Sequence, residues 1–368
     1  MMNQVDSQHV FHNRRVLITG HTGFKGSWLT AWLKQLGAIV TGLALDPPTK
    51  PSHFLAAQID HDIEDLRIDL RDRDAVQRSI QEVKPDFLFH LAAQPLVRMS
   101  YLDPVSTYDT NVMGTLNVLQ GLRELKHSCV AVLITSDKCY DNVEWVWGYR
   151  ETDRLGGPDP YSASKGAAEL VISSHIRTFF PKEGNIRIGI GRAGNVIGGG
   201  DWAEDRIVSD CIKAWSKEEQ VLLRNPEATR PWQHVLEPLS GYLNLAMKLS
   251  EDVELHGEPF NFGPPANQIH SVASLVSQMS MHWELVRWQN ESEKKDNPYE
   301  SIMLNLNCDK ALHKLGWQAI WKFEQTVKET VEWYRTFYQQ PNLIAEQTKA
   351  QILRYQQDAR EFGLEWAQ

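Results

Sequence analysis

Cysteine is scarce in this chain. Only Cys129, Cys139, Cys211 and Cys308 occur in 368 residues, without metal-ligand spacing. That argues against a disulfide-stapled scaffold and against a zinc module. Cys129 lies in the apolar run CVAVLI and reads as a small buried hydrophobe. Long hydrophobic runs are missing too. No stretch approaches the roughly 18 apolar residues of a membrane span. The first residues, MMNQVDSQHVFHNRR, are polar and mixed, with no apolar leader. With so few cysteines, this leads to the expectation of a reducing cytoplasm. Positive charge is also in deficit, with 38 Lys+Arg against 47 Asp+Glu and a net charge of −9. Such a chain offers no broad field for nucleic acid or an anionic membrane. An anionic ligand must be held by local donors and a few arginines. There is no internal repeat, no low-complexity tract and no cluster of metal ligands.

What is present is alternation. Short apolar runs at 15–19, 39–45, 66–70, 86–91, 130–135 and 186–192 read as strands. Between them lie helical patterns at 26–36, 72–83, 100–110, 114–125 and 159–180. Strand–helix alternation of this kind implies a parallel sheet covered on both faces, and the doubly wound α/β dinucleotide fold leads that class. After Gly194 the pattern breaks up. Glycine, proline and tryptophan become frequent, a short strand is predicted at 220–223, and helices at 237–249 and 272–279. We therefore expect a dinucleotide-binding domain over 1–192, completed by part of 234–265. A smaller mixed α/β substrate domain follows over 193–368, with a surface loop at 291–297 and a helical tail after Pro341.

Three glycines, Gly20, Gly23 and Gly26, follow the first strand and open the first helix. Glycine lets the chain turn tightly and the backbone approach a pyrophosphate, and the helix N-terminus then offers free N–H donors to the phosphates. The spacing is GxxGxxG, so the strand–turn–helix context carries the inference. Asp46 ends the second strand. It can accept from the adenosine ribose hydroxyls, which favours NAD over its 2′-phosphorylated form; a solvated turn residue before Pro47-Pro48 is the alternative. Asp69 can contact adenine, although helix capping competes for both Asp69 and Asp72.

Asp159-Pro160-Tyr161-Ser162-Ala163-Ser164-Lys165 starts a helix, with Asp159 as N-cap and Pro160 in the first turn. Tyr161 and Lys165, four residues apart, share a face. A nearby ammonium, together with a cationic nicotinamide ring, lowers a phenol from its ordinary pKa near 10. The phenolate can then take a proton from a sugar hydroxyl while hydride leaves for the cofactor.

TGHTGFKG, HLAAQ after the fourth strand, and YSASK together resemble the extended short-chain dehydrogenase/reductase family over the chain to about residue 335. The resemblance implies NAD as a recycled cofactor and a C-terminal domain holding a nucleotide-linked sugar. Its cofactor contacts fall on Gly20, Thr22, Gly23, Phe24, Gly26, Asp46, Asp69, Leu70, Ala92 and Ala93, with Tyr161 and Lys165. At the end of the fifth strand, Ser136-Asp137-Lys138 stands where sugar epimerases of the family lack the acid and 4,6-dehydratases carry Asp-Glu. With HTGFKGSWL, LAAQPLVR, GNVIGGGDW and RPWQHV, this resembles the dehydratase branch and implies CDP-glucose as substrate. Ser136 then shares a proton with the oxidised hydroxyl and Asp137 protonates the departing one. Lys138 is the C5 base if neutral, an enolate stabiliser, or a salt-bridge partner of Asp137. Gln94 and Arg98 line the sugar pocket, Asn195 meets the sugar diphosphate, and Arg206 and Arg230 the phosphates, with surface charge a rival for Arg206; Arg224 is a weaker candidate of the same kind. Asn111 organises backbone near the site, and His90 reads as a satisfied core histidine. Trp202 and Trp232 either stack on ligand or pack in the core. A homodimer through the helices near 100–124 and 160–180 is implied as well.

Overall fold

The computed structural model describes residues 9–223, 225–284, 286–290 and 303–368. Arg224 and the loop expected at 291–297 lie outside the described residues. The first half runs β1 (Arg15–Thr19), α1 (Phe24–Gln35), β2 (Ile39–Ala44), α2 (His53–Ala56), β3 (Glu64–Arg67), α3 (Arg73–Val83), β4 (Phe87–His90), α4 (Val97–Leu102), α5 (Pro104–Tyr108), α6 (Gly114–Glu124), β5 (Cys129–Ile134), α7 (Pro160–Phe179) and β6 (Ile186–Arg192). The second half adds β7 (Val196–Ile197), α8 (Ile207–Trp215), β8 (Val221–Leu223), β9 (Thr229–Arg230), β10 (Gln233–His234), α9 (Leu236–Glu251), β11 (Pro259–Asn261), β12 (His270–Ser271), α10 (Val272–Ser280), β13 (Trp288–Asn290), α11 (Asp309–Leu315), α12 (Phe323–Gln339) and α13 (Ile344–Phe362).

Seven strands form one parallel sheet in the order β11-β6-β5-β4-β1-β2-β3. The order reverses between β1 and β4, and this is where an open α/β sheet leaves a crevice at its carboxyl ends. The central strands are buried on both faces, as their unbroken Val/Ile/Leu/Phe runs require. One core lies between the sheet and α3, α6 and α7; the other joins α1 and α9 to the C-terminal helices.

Two elements depart furthest from the sequence reading. The third strand is Glu64–Arg67 rather than 66–70, because pairing with β2 starts at Thr41↔Glu64 and the chain leaves the sheet edge before Asp69. The helix expected at 100–110 is divided: Asp103 Oδ1 accepts from Ser106 N at 2.9 Å and Pro104 occupies the first turn of α5. A wide i→i+5 turn at Asp109–Met113 then carries α5 into α6.

Candidate active site

The glycine turn is built as a cradle. Gly20 has φ +80°, and a Cβ there would lie 2.7 Å from the Ala92 backbone nitrogen. A Cβ on Gly26 would sit 2.1 Å from the Gly20 carbonyl oxygen. Gly23 caps α1 without a side-chain acceptor, and the first turn of α1 carries no acidic residue. The free N–H groups and the positive helix end are thus left for an anion, which fits a dinucleotide pyrophosphate. Thr22 Oγ1 donates to the Leu45 carbonyl at 2.9 Å and fixes the turn to β2. Phe24 reaches under Gly198, and Leu70 is buried beneath Gly114. Ala92 N donates to Thr19 Oγ1 at 3.3 Å, and Ala93 follows it, half-buried. Asp46 is solvent-exposed at the end of β2, 3.9 Å from Arg67. Asp72, not Asp69, caps α3, accepting from Ala75 N. Asp69 is ion-paired with Arg71 at 2.6 Å, and that guanidinium lowers its pKa.

Two short segments meet across the carboxyl end of β5. Ser136 caps a single 3-10 turn, Asp137–Cys139, accepting from Lys138 N at 3.3 Å. Its Oγ donates to Asp137 Oδ1 at 2.9 Å, with both side chains buried. On α7, Asp159 accepts from Ser162 N at 2.9 Å and so fixes the first turn. Ser100 Oγ accepts from Tyr161 N at 3.1 Å. Asn111 donates to Ser164 Oγ at 2.9 Å and accepts from Gln94 N at 2.8 Å. Tyr161 and Lys165 are both buried on one face of α7. Burial pushes the Tyr161 phenol up to about 12, a hydrogen bond with Ser136 opposing it and the Asp137 charge adding to it. In the chain without cofactor the phenol is raised, whereas the lowering expected from the sequence includes the charge of a nicotinamide ring. Burial likewise brings Lys165 down to about 8.

Lys138 is half-buried, and among the described residues no ion pair within 4 Å joins it to Asp137. The Asp137 charge does act on another cation. It is Lys25, in the glycine turn, which burial lowers to about 8 against the pull of Asp137. Sequence reasoning passed over Lys25 as one x of GxxGxxG. It also passed over the pair that ties the site together. Glu169, one turn beyond Lys165, holds Arg192 of β6 by two contacts of 2.8 Å and accepts from Thr135 Oγ1 at 2.5 Å. Arg192 also donates to the Tyr140 hydroxyl at 2.7 Å, which in turn donates to Asn261 Oδ1 of β11. A carboxylate at i+8 from Tyr161, on an otherwise buried helix face, was the available signal.

The model of the family described as GDP-mannose 4,6 dehydratase matches residues 17–330. The chain belongs to the GDP-mannose 4,6-dehydratase family. It is 45% identical over 342 residues to the CDP-glucose 4,6-dehydratase of Salmonella typhimurium, covering 92% of this chain and 95% of that one. A probable dTDP-glucose 4,6-dehydratase of Sinorhizobium fredii is 25% identical over 340 residues, with 87% and 92% covered. Among solved structures, UDP-glucose 4-epimerase from Thermotoga maritima superposes with a TM-score of 0.74 at 22% identity, covering 88% of this chain and 99% of that chain, and shares the fold.

In this GDP-mannose 4,6-dehydratase family chain the remaining candidates divide by surroundings. Asn195, with φ 52°, donates from Nδ2 to Asp137 Oδ2 at 3.2 Å and so stands directly at the acid. Gln94 is held by Thr107 Oγ1 at 2.9 Å, and Arg98, half-exposed, pairs with Asp205 at 3.1 Å. Arg206 lies 3.4 Å from Asp201 at the start of α8, and its charge also reaches Tyr161 and Lys25. Arg230 sits on β9, donating to its neighbour's carbonyl at 2.8 Å. His90 is a buried core histidine bonded to Thr19 and Thr115. Trp202 packs against Trp333, Tyr334 and Phe337, and both Trp202 and Trp232 are buried.

Proposed function

We propose that this chain is a CDP-glucose 4,6-dehydratase using NAD, and that it forms CDP-4-keto-6-deoxyglucose and water. The observation that carries the reading is the Asp137 carboxyl group, buried next to Ser136 and Tyr161 and held by Asn195. An epimerase needs only the hydroxyl and phenol; an acid beside them suits loss of a hydroxide as water. The 45% identity to a CDP-glucose enzyme supports the choice of nucleotide.

The Gly20–Gly26 turn holds the pyrophosphate on the N-terminus of α1, with Thr22, Phe24, Leu70, Ala92 and Ala93 around it and Asp46 and Asp69 toward the adenosine. Held there, NAD would supply a hydride acceptor for sugar C4 and a hydride source for C6. Tyr161 receives the C4 hydroxyl proton, with Lys165 on the same helix face. Asp137 protonates the departing C6 hydroxyl, and Lys138 removes the C5 proton. Asn195 also contacts the sugar diphosphate, Arg206 and Arg230 the phosphates, and Gln94 and Arg98 border the sugar. The nucleotide-sugar lies between the dinucleotide-binding part and the part following residue 192; β11 and α9 of the latter rejoin the sheet.

A homodimer fits the exposed apolar side chains of Met99, Tyr101, Leu102, Val105 and Met113, with Leu170 on the adjoining α7. Sedimentation of Leu102→Glu/Val105→Glu as a monomer is the expected result. No described helix is long and apolar enough to cross a membrane. We place the enzyme in the cytoplasm on its scarcity of cysteine.

The test is a panel of nucleotide-glucoses with the products weighed. A product one water lighter, from CDP-glucose alone, is expected. An isomer of unchanged mass would overturn the dehydratase reading.

A further inference from the structure

We propose that Arg67 forms a preset phosphate seat at the adenosine end of the glycine turn, and that Asp46 excludes a 2′-phosphorylated dinucleotide by holding its charge beside that seat. The inference rests on the reading of Asp46 as the partner of the adenosine ribose, and it adds the residue against which that carboxylate works.

Arg67 closes β3, level with Ala44 at the end of β2. Its guanidinium is fixed in place. Nη2 donates to Asp65 Oδ2 at 2.6 Å and Nη1 to the Leu45 carbonyl at 2.9 Å, and the group lies 5.3 Å from the centre of the Phe54 ring. Asp65 is itself held, since its other oxygen shares a hydrogen bond of 2.8 Å with the buried His21. The Leu45 carbonyl also accepts from Thr22 Oγ1 at 2.9 Å. A single carbonyl thus ties Arg67 to the glycine turn. Asp46 is next in the chain. Its carboxylate is 92% exposed and lies 3.9 Å from Nη1, beyond hydrogen-bond distance. The bonds to Asp65 and Leu45 each use a single N–H of the fork, so further donors remain for an anion. A guanidinium held this way suits the oxygens of a phosphate.

Charge decides what can use the seat. Asp46 and Asp65 are two carboxylates against one guanidinium, which leaves one negative charge in excess. Burial holds His21 below its ordinary pKa, so it adds no cation near neutral pH. Asp69 and Arg71, further along the chain, are paired with each other at 2.6 Å. A ribose 2′-phosphate would bring about two more negative charges to this cluster. Neutral ribose hydroxyls can instead donate to Asp46. Without the Asp46 charge the cluster is neutral, and the guanidinium is already in position. Exclusion of the phosphate is therefore the effect of one carboxylate on a site otherwise fit to bind it.

The test measures binding of NAD and of NADP to the full chain by titration calorimetry, with no nucleotide-sugar present. Wild type is compared with Asp46→Ser, with Asp46→Ser/Arg67→Gln and with Asp46→Ser/Arg67→Lys. Wild type should bind NAD more tightly than NADP. Asp46→Ser should lose about tenfold for NAD and gain about tenfold or more for NADP. Adding Arg67→Gln should remove most of that gain, while Arg67→Lys, which keeps the charge but not the fork, should retain part of it. A wild type that binds the two dinucleotides equally would overturn the seat. So would an Asp46→Ser protein that loses NAD without gaining NADP, or a gain that survives Arg67→Gln; these two results leave the ribose reading standing. NAD binding unchanged in Asp46→Ser would overturn both.

Discussion

The carboxylate of Asp137 occupies the space that a side chain on Gly194 would need: a Cβ there would fall 1.9 Å from Oδ2 and 2.0 Å from Cγ. The acid is therefore seated by an absence, and Asn195, next in the chain, secures it from the same side. Gly194→Ala is expected to fold, because one methyl group displaces a single side chain. It should cut the rate of dehydration by about 10²-fold or more, with nucleotide-sugar affinity changed far less. Steady-state kinetics alongside calorimetric binding separates the two effects. A variant dehydrating at the wild-type rate would show that the seat is not needed.

Gly26→Ala addresses the cofactor cradle. The added carbon meets the backbone carbonyl of Gly20, which cannot swing aside as a flexible side chain would. The turn must open, and the N–H donors lose their aim at the pyrophosphate. Binding of NAD, followed by quenching of tryptophan fluorescence, should weaken at least about tenfold, with melting temperature reduced only modestly.

Much of this arrangement is legible in the sequence because it is local. The glycine turn, the Asp159-Pro160 start of α7 and the Tyr161/Lys165 face each depend on residues within one or two turns. So do the buried strands, whose apolar runs cannot face water on either side. The parts that were hidden depend on pairing between distant segments. Nothing near Gly194 announces that it lies over Asp137, and nothing in GxxGxxG shows that the charge of Asp137, beyond β5, acts on Lys25. Asn195 was expected at the sugar diphosphate through family resemblance; its bond to Asp137 appears only once β5 and β6 lie side by side. The divided helix near 100–110 was missed for another reason: Asp103-Pro104 is a start signal in the middle of a helical pattern, and capping outweighed periodicity.

Lys138 has a role that isotope exchange can isolate. If it takes the C5 proton, Lys138→Ala should lose C5 exchange with deuterated solvent by about 10²–10⁴-fold while oxidation at C4 is retained. Undiminished C5 exchange, read by NMR of the nucleotide-sugar, would assign the proton to another base.

Glu169→Gln tests the pair beneath the site. Arg192 and Glu169 are both buried, so the variant leaves a guanidinium without its counter-charge. Removing one partner of such a pair typically costs about 3–5 kcal/mol. Urea unfolding should show a loss of that order. Because Glu169 ties α7 to β5 and β6, kcat should fall more than KM rises. A double variant, Glu169→Gln with Arg192→Met, should recover much of the stability without recovering the rate.

Glu237 gives a pH-dependent prediction on α9. Its carboxylate is buried on α9 and accepts from Trp321 N at 2.7 Å and from the Tyr355 hydroxyl of α13 at 2.7 Å, so it anchors the tail helix that lies past residue 330. Burial pushes its pKa up to about 7 from 4.5, and the hydrogen bonds only partly offset this. The folded state therefore holds a proton that the unfolded chain releases at lower pH. The sign follows: the favourable contribution is complete below about pH 4.5 and is lost as pH rises through about 7. Over that window the shift corresponds to about 3 kcal/mol at most. Glu237→Gln keeps a carbonyl acceptor but cannot ionise. Its stability relative to wild type should thus improve as pH is raised from about 5 to about 8, read from urea midpoints at the two pH values. A difference between the two proteins that stays constant with pH would mean that Glu237 ionises in the folded chain as readily as in the unfolded one.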